Sequence, residues 1–322
     1  MAIRNVCVLG GTGFVGQHLV PALGQCGYRV RVLTRHRERH RDFLVLPRVT
    51  LVEADVHSST DLHTELQQCD AVINLVGVHS ARRQKDEVLK AVHVELPRRL
   101  AEACQAQGIS RLLHVSAVNA SASAESAYLR SKGEGEGALQ NVAGADPALA
   151  ITILRPAPIF GPQDELFNRF ARWLTRIPVA LPVACPEVKL APVWVKDVVQ
   201  ALLTCLEDRR TFGNAYDLCG PRTYRLVQLV RYTARLLSRR QYILPLNDSL
   251  SRWQVRFLWT LSNPLFIGDN DHCLKIPQAC AENGLLALGI KPIGIDAVVP
   301  KYLKFGGEDG LYSSLRCSAG RH

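Results

Sequence analysis

Residues 6–16, Val6-Cys7-Val8-Leu9-Gly10-Gly11-Thr12-Gly13-Phe14-Val15-Gly16, set four glycines between a short apolar run and an amphipathic stretch. They satisfy both G-x-x-G-x-x-G (Gly10, Gly13, Gly16) and G-x-G-x-x-G (Gly11, Gly13, Gly16). Val6 to Leu9 reads as a strand and Val15 to Gln25 as a helix, so the glycines occupy a strand-to-helix turn. Glycine permits a tight turn and close backbone approach, and the helix N-terminus presents N–H groups that suit a pyrophosphate. Gly10, Gly11, Thr12, Gly13, Phe14, Val15 and Gly16 are therefore candidate dinucleotide-binding residues, against the alternative of a bland glycine turn.

Outward from this turn, further strands are predicted at Arg29 to Leu33, Val49 to Val52, Ala71 to Val76, Leu112 to Ser116 and Ile151 to Leu154. Helix candidates at Thr60 to Gln67, Val88 to Gln107 and Ala127 to Asn141 separate them. Regular alternation of this kind implies βαβ units, an α/β fold with a doubly wound parallel sheet covered on both faces. The rhythm breaks at Pro156, after which prolines 156, 158, 162, 178, 182, 186 and 192 argue for loops and a short helix around Glu165 to Thr175. Pro192 to Val195 is strand-like, and Asp197 is placed to cap a helix running to about Leu206. Helix candidates follow at Leu226 to Arg239 and Ser251 to Leu261, then a polar tail from Gly306. The expected organisation is residues 1–230 as the dinucleotide-binding domain, with a proline-rich insertion at about 156–190 on the substrate side. Residues 231–305 are expected as a smaller C-terminal substrate or partner domain, and 306–322 as a tail.

The end of the second strand bears on which dinucleotide fits. An acidic residue about 20 positions beyond the glycines would accept a ribose 2′-OH, but here the chain reads Leu33-Thr34-Arg35-His36-Arg37. Thr34, Arg35 and Arg37 suit a 2′-phosphate, which favours NADP(H) over NAD(H); a solvated arginine loop is the alternative. Asp55 and Val56 end the third strand, with Asp55 either facing an adenine amino group or capping a helix. Asn74, Leu75, Val76 and Gly77 end the fourth, beside the adenosine ribose.

A second constellation begins at Ser116, which closes the fifth strand, and continues with Tyr128-Leu129-Arg130-Ser131-Lys132. Residues four apart on a helix share a face, which brings Tyr128 and Lys132 together. A tyrosine that passes a proton at neutral pH needs help, because its free pKa is about 10, and a nearby ammonium favours the phenolate. Ser116, Tyr128 and Lys132 are the candidate catalytic residues, with Tyr128 and Lys132 also meeting the cofactor.

These motifs resemble those of the extended or atypical short-chain dehydrogenase/reductases, within the NAD-dependent epimerase/dehydratase superfamily. The further residues that carry the resemblance are His114-Val115-Ser116-Ala117, Leu154-Arg155-Pro156, Phe160-Gly161-Pro162-Gln163-Asp164, Pro192 to Val198, Gly220-Pro221 and Gly268-Asp269-Asn270. Within the superfamily the chain is most similar to the group containing the NADPH-binding accessory subunit of respiratory complex I and its bacterial relatives. The resemblance implies a Rossmann fold, an NADP(H) site that includes Pro156, and an oxidoreductase acting on an apolar carbonyl or quinone-related compound. It equally admits a non-catalytic accessory or assembly factor of the respiratory NADH dehydrogenase, or a nucleotide-sugar epimerase or dehydratase. One departure stands out: where relatives often carry Asn, this chain has Val92-His93-Val94, and His93 is read as a packing residue in preference to a proton relay. Apolar pocket candidates are Phe160, Leu166, Phe167, Trp173, Leu181 and Trp194; Arg169, Arg172 and Arg176 suit a diphosphate or an exposed helix face.

The chain has 322 residues, 47% of them apolar and 21% charged, with 39 Lys and Arg against 29 Asp and Glu, a net charge of +10. Such a composition excludes intrinsic disorder and a collagen-like chain. Neither a zinc finger nor an aromatic-interleaved basic stripe occurs, so no nucleic-acid partner is expected. The ten cysteines lack any C-x-x-C and read mostly as reduced, buried thiols, with neither a metal site nor a disulfide framework expected. No signal peptide and no transmembrane run of about 18 residues is read. The segment from Arg252 to Trp259, rich in Trp and Arg, suits a membrane interface or partner contact, or a core helix whose arginines reach solvent. The expected location is cytoplasmic, and peripheral on the inner face of the membrane if that segment meets lipid.

Overall fold

Val6 and Val8 point to one side of their strand while Cys7 and Leu9 point to the other, and this two-residue period lets the inner strands of the sheet feed two cores. The structure is a computed structural model that describes residues 3–78, 86–145, 148–177, 179–239, 242–245 and 277–303. Its elements begin with β1 (Asn5–Leu9), α1 (Phe14–Gln25), β2 (Arg29–Thr34), β3 (Val49–Glu53), α2 (Ser59–Glu65) and β4 (Ala71–Asn74). Next come α3 (Asp86–Lys90), a π-helical turn (Ala91–Glu95), α4 (Leu96–Ala106), β5 (Arg111–Val115), α5 (Ala127–Ala145) and β6 (Ala150–Pro156). The second half contains β7 (Ile159–Phe160), α6 (Phe167–Arg176), β8 (Ala180–Val183), β9 (Lys189–Leu190), β10 (Val193–Trp194), α7 (Val195–Glu207) and β11 (Ala215–Leu218). It closes with β12 (Tyr224–Arg225), α8 (Leu226–Leu236), β13 (Tyr242–Pro245), α9 (Gly284–Ala287) and α10 (Ile295–Leu303).

Seven parallel strands form the main sheet in the order β11-β6-β5-β4-β1-β2-β3, so the expected doubly wound parallel sheet is present. Helices α1 and α7 cover one face through Leu19, Val20, Leu23, Val198 and Leu202, while α2, α4 and α5 cover the other through Leu62, Leu96, Leu100 and Leu139. Each such buried aliphatic side chain contributes roughly 1.5–3 kcal/mol. The strand order reverses between β1 and β4, and ligands of such sheets bind in the crevice at the carboxyl ends of the strands there.

A separate core gathers Phe160, Phe167, Phe170, Leu181, Leu226, Leu229, Val230, Val299 and their neighbours. It lies among α6, α8, α10 and the small β8–β13 sheet. Residue 230 falls inside α8, whose buried Leu226, Leu229, Val230 and Ala234 belong to this third core. Phe160, Leu166, Phe167 and Leu181, expected to line a pocket, are instead buried in it, because the helix they frame has no other apolar layer to face. Trp173 and Trp194 are half-buried at its edge. Arg169, in the first turn of α6, is paired with Glu165, which lies just before the helix.

Three other expectations change. The residue that caps α7 is Trp194; Asp197 sits within the first turn, where its carboxylate accepts the Ile293 N–H at 2.8 Å and so ties the C-terminal segment to α7. The single helix expected from Val88 to Gln107 is interrupted by the π turn, which α5 crosses so closely that a Cβ on Gly135 would lie 1.8 Å from the His93 carbonyl oxygen. Cys219 and Cys280 form a disulfide, whereas Cys7, Cys26, Cys69, Cys104, Cys185 and Cys205 are not disulfide-bonded. The bonded pair is 61 residues apart, a separation that carries no spacing signal. The Arg252 to Trp259 segment, the Ser251 to Leu261 helix, Gly268 to Asn270, Cys273, Cys317 and the 306–322 tail lie outside the described residues.

Candidate cofactor and catalytic site

The glycine turn closes with a hydrogen bond from Gly13 N–H to Gly10 O at 3.0 Å. Gly10 has φ +73°, and a Cβ there would come within 3.0 Å of the Leu75 carbonyl carbon and the Val76 nitrogen. A Cβ on Gly16 would sit 2.2 Å from Gly11 O, so α1 starts hard against the turn only because residue 16 lacks one. Gly13 caps α1 without a side chain, and the first turn holds no acidic residue, which leaves its N–H groups and the positive helix end to an anion. Thr12 presents its carbonyl to Gln17, and Phe14 packs edge-on to His18. Glycines that bring backbone this close, at an uncapped helix start, fit a pyrophosphate.

Beyond the turn, Thr34 is buried and its hydroxyl faces the His36 N–H, while Arg35 and Arg37 are exposed. The Arg37 backbone N–H donates to Glu53, which ties the loop after β2 to the end of β3. Asp55 is exposed and accepts the His57 N–H in a local turn; Ser58, not Asp55, caps α2. Val56 is buried in the core under that turn. Asn74 accepts the Val76 N–H, Leu75 N–H donates to Leu9 O, and Gly77 is exposed next to Val76.

Tyr128 and Lys132 lie one turn apart on α5 as expected. The Lys132 ammonium donates to Val115 O at 3.2 Å, one residue before Ser116. Its nitrogen lies 3.5 Å from where a Gly77 Cβ would be, so the helix residue reaches the end of β4 as well as of β5. Burial holds its pKa down to about 8, with Glu136 pulling the other way. The Ser116 backbone is fixed by a bond to Leu154 O, yet its hydroxyl is buried with no hydrogen-bond partner among the described residues. Pro156 is buried at the end of β6, where its carbonyl accepts the Val118 N–H.

Several residues that the motifs leave out support this constellation. His114 is wholly buried, and burial together with Lys132 lowers its pKa to about 3, so it is neutral. Because Asn74 Nδ2 donates to His114 Nδ1, the ring proton sits on Nε2, an atom buried without a partner among the described residues. Glu136, two turns beyond Tyr128, holds Arg155 in a bidentate pair, and Arg155 also approaches Asp217. His93 joins Tyr128, Ser131 and Val78. The Tyr-x-x-x-Lys spacing marks none of these partners, since each bond crosses between elements.

The family model described as NAD dependent epimerase/dehydratase family matches residues 6–219. The chain is 33% identical over 302 residues to NADH dehydrogenase (ubiquinone) 1 alpha subcomplex subunit 9, mitochondrial, of Mus musculus, covering 90% of this chain and 77% of that protein. It is 34% identical over 198 residues to a ceramide reductase of Caulobacter vibrioides, covering 62% of this chain and 59% of that one. Among solved structures, MoeE5 in complex with UDP-glucose and NAD superposes with a TM-score of 0.73 at 22% identity, over 93% of this chain and 97% of that one, a likeness of fold. No helix among the described residues is long and apolar enough to cross a membrane.

Proposed function

We propose, from the premise that this chain belongs to the NAD dependent epimerase/dehydratase family, that it is an oxidoreductase acting on an apolar carbonyl or quinone-related compound, with NADP(H) preferred over NAD(H). One observation carries the reading: a buried Ser116 hydroxyl, unpartnered among the described residues, sits next to the carbonyl that holds the buried Lys132 ammonium, which shares a helix face with Tyr128. An unsatisfied buried hydroxyl costs roughly 1–3 kcal/mol, which a substrate oxygen would relieve.

In this role the backbone from Gly10 to Gly16 holds the pyrophosphate, Arg35 and Arg37 hold the 2′-phosphate, and Asp55, Val56 and Asn74 to Gly77 border the adenosine. Bound NADPH supplies the hydride. Tyr128 gives its phenolic proton to the substrate oxygen, which Ser116 orients. Lowering a phenol pKa from 10 towards 7 requires about 4 kcal/mol of preference for the phenolate, and the Lys132 ammonium is the cation placed to provide it. Pro156, at the end of β6, would border the nicotinamide.

Fluorescence titration with NADPH and NADH tests the cofactor, and tighter NADH binding would overturn the preference. NADPH oxidation against long-chain ketones and short-tailed ubiquinone analogues, in wild type and Tyr128→Phe, tests the chemistry. Tyr128→Phe is expected to abolish turnover, and a wild type that binds NADPH but oxidises none of it overturns the enzyme reading. A second reading rests on the mouse relative: an accessory component of a respiratory NADH dehydrogenase, bound at the membrane that houses the complex, with NADPH held structurally. It gains if a strain lacking the protein loses NADH dehydrogenase activity and Tyr128→Phe restores it in full.

A further inference from the structure

His93 occupies an unusual place. It lies in the π turn, a local geometry that concentrates at functional sites, and is only 1% exposed. Its Nε2 accepts the Val78 N–H at 3.2 Å. A ring nitrogen that accepts carries no proton, so the proton of the neutral ring is on Nδ1 and points to the Ser131 hydroxyl 2.9 Å away. Ser131 in turn donates to Tyr128 O at 2.8 Å. The imidazole also stands edge-on to the Tyr128 ring, with centroids 5.4 Å apart. Its Nε2 is 3.9 Å from the position of a Gly77 Cβ, the same point that Lys132 Nζ approaches to 3.5 Å.

One side chain therefore grips both halves of the site. On one side it holds the backbone just beyond Gly77, where the end of β4 borders the cofactor. On the other it holds the turn of α5 that carries Tyr128. The close crossing of Gly135 over the His93 carbonyl keeps the π turn from sliding along α5. A residue that merely filled space would leave the Val78 N–H and the Ser131 hydroxyl to other partners.

We infer that His93 is a positioning residue that couples cofactor binding at Gly77–Val78 to the placement of Tyr128, an inference that rests on the cofactor reading above. Its two nitrogens have separable tasks: Nε2 serves the cofactor-side loop, and Nδ1 serves the tyrosine helix. Because a glutamine oxygen reaches about as far as Nε2, His93→Gln keeps the first task. His93→Asn reaches only as far as Nδ1 and keeps the second, while His93→Leu keeps neither.

The test is hydrogen exchange by mass spectrometry on peptides spanning 76–78 and 126–132, with and without saturating NADPH, together with the NADPH dissociation constant. In wild type, NADPH is expected to slow exchange in both peptides. His93→Leu is expected to weaken NADPH about tenfold and to lose the NADPH-induced protection of 126–132 even at saturation. His93→Gln should restore affinity to within about twofold of wild type without restoring that protection, and His93→Asn should show weak binding but a protected 126–132 once saturated. If His93→Leu misfolds, the Gln and Asn variants still decide the matter, because a packing role predicts no split between them. Both variants behaving as wild type, or both losing affinity and protection together, overturns the coupling. A wild type that binds neither NADPH nor NADH overturns the cofactor reading itself.

Discussion

At the N-terminal end of β5, Arg111 is fully buried and its guanidinium meets Ala150 O, Thr152 Oγ1, Cys205 O and Thr211 Oγ1, with the Phe212 ring 4.4 Å away. At the C-terminal end, Lys132 is equally buried, yet among the described residues its ammonium donates only to Val115 O. Both are cations without a carboxylate bonded to them among the described residues, and burial lowers both pKa values, to about 10 for Arg111 and about 8 for Lys132. The difference lies in what is left over. Four oxygens, from β6, α7 and the loop after α7, hold Arg111's terminal nitrogens, so it fastens strands to α7, although its Nε is buried without a hydrogen-bond partner among the described residues. Lys132 keeps donors in reserve on the side where sheets of this kind bind ligands, beside the unpartnered Ser116 hydroxyl and His114 Nε2. The buried cation bonded to several segments builds the fold, and the one bonded to a single carbonyl keeps donors for a ligand.

The largest effect expected is that of Lys132→Met. Turnover, where wild type shows it, should fall about 10²–10⁴-fold, the range for losing a group that supports proton transfer. Unfolding by urea should be unchanged or shifted to higher denaturant, since an under-satisfied buried ammonium is removed. A large loss of stability would show that Lys132 is a fastener like Arg111. Arg111→Met should give the reverse pattern: a loss of about 3 kcal/mol in urea unfolding, from hydroxyls and carbonyls left without a donor, and an NADPH dissociation constant unchanged. Weakened NADPH binding in that variant would break the division of labour between the two ends of β5.

A smaller effect separates the two cations by pH. Lys132 has a folded pKa of about 8 against an ordinary 10.5. Between these values the unfolded chain holds a proton that the folded chain has released, so stability rises with pH across that window. Below about pH 8 both states are protonated and the folded state carries the full penalty of about 3 kcal/mol, from roughly 1.4 kcal/mol per pH unit. The stability advantage of Lys132→Met over wild type should therefore be widest below pH 8 and shrink as pH rises to 10.5. NADPH affinity should move oppositely, weakening above pH 8 as the ammonium is lost. Parallel trends in wild type and Lys132→Met would remove Lys132 as the titrating group.

The half of the site formed by backbone was legible in the sequence, because Gly10 to Gly16 encode their geometry locally: φ +73° at residue 10 and no room for a Cβ at residue 16 require glycine. Strands β1 to β6 were legible for the same reason, as short apolar runs between helical patterns. What escaped depends on contacts between distant segments. The π turn is set by Gly135 pressing on His93, 42 positions earlier, and nothing in Val88 to Gln107 alone interrupts a helical period. Asp197 looked like a cap because it opens a helix, but its partner is Ile293, 96 residues on. Cys219 and Cys280 met through the fold, not through spacing.

The smallest expected effect concerns Arg35. Unlike Lys132 it is exposed, so any phosphate it holds is screened by salt over about 10 Å at 0.1 M. A charge-assisted bond of this kind is worth about 1.5–3 kcal/mol when well formed, and exposure brings the expected loss to roughly the lower bound. Arg35→Ser should therefore weaken NADPH about tenfold while leaving NADH within about twofold, because only NADPH carries the 2′-phosphate. The NADPH deficit should shrink as salt is raised, since wild type loses the same attraction to screening. The deficit of Lys132→Met should persist in salt, because counterions do not reach a buried ammonium. If Arg35→Ser weakens both cofactors equally, the arginine shapes the loop after β2 without reading the phosphate, and the preference for NADP(H) loses its physical basis.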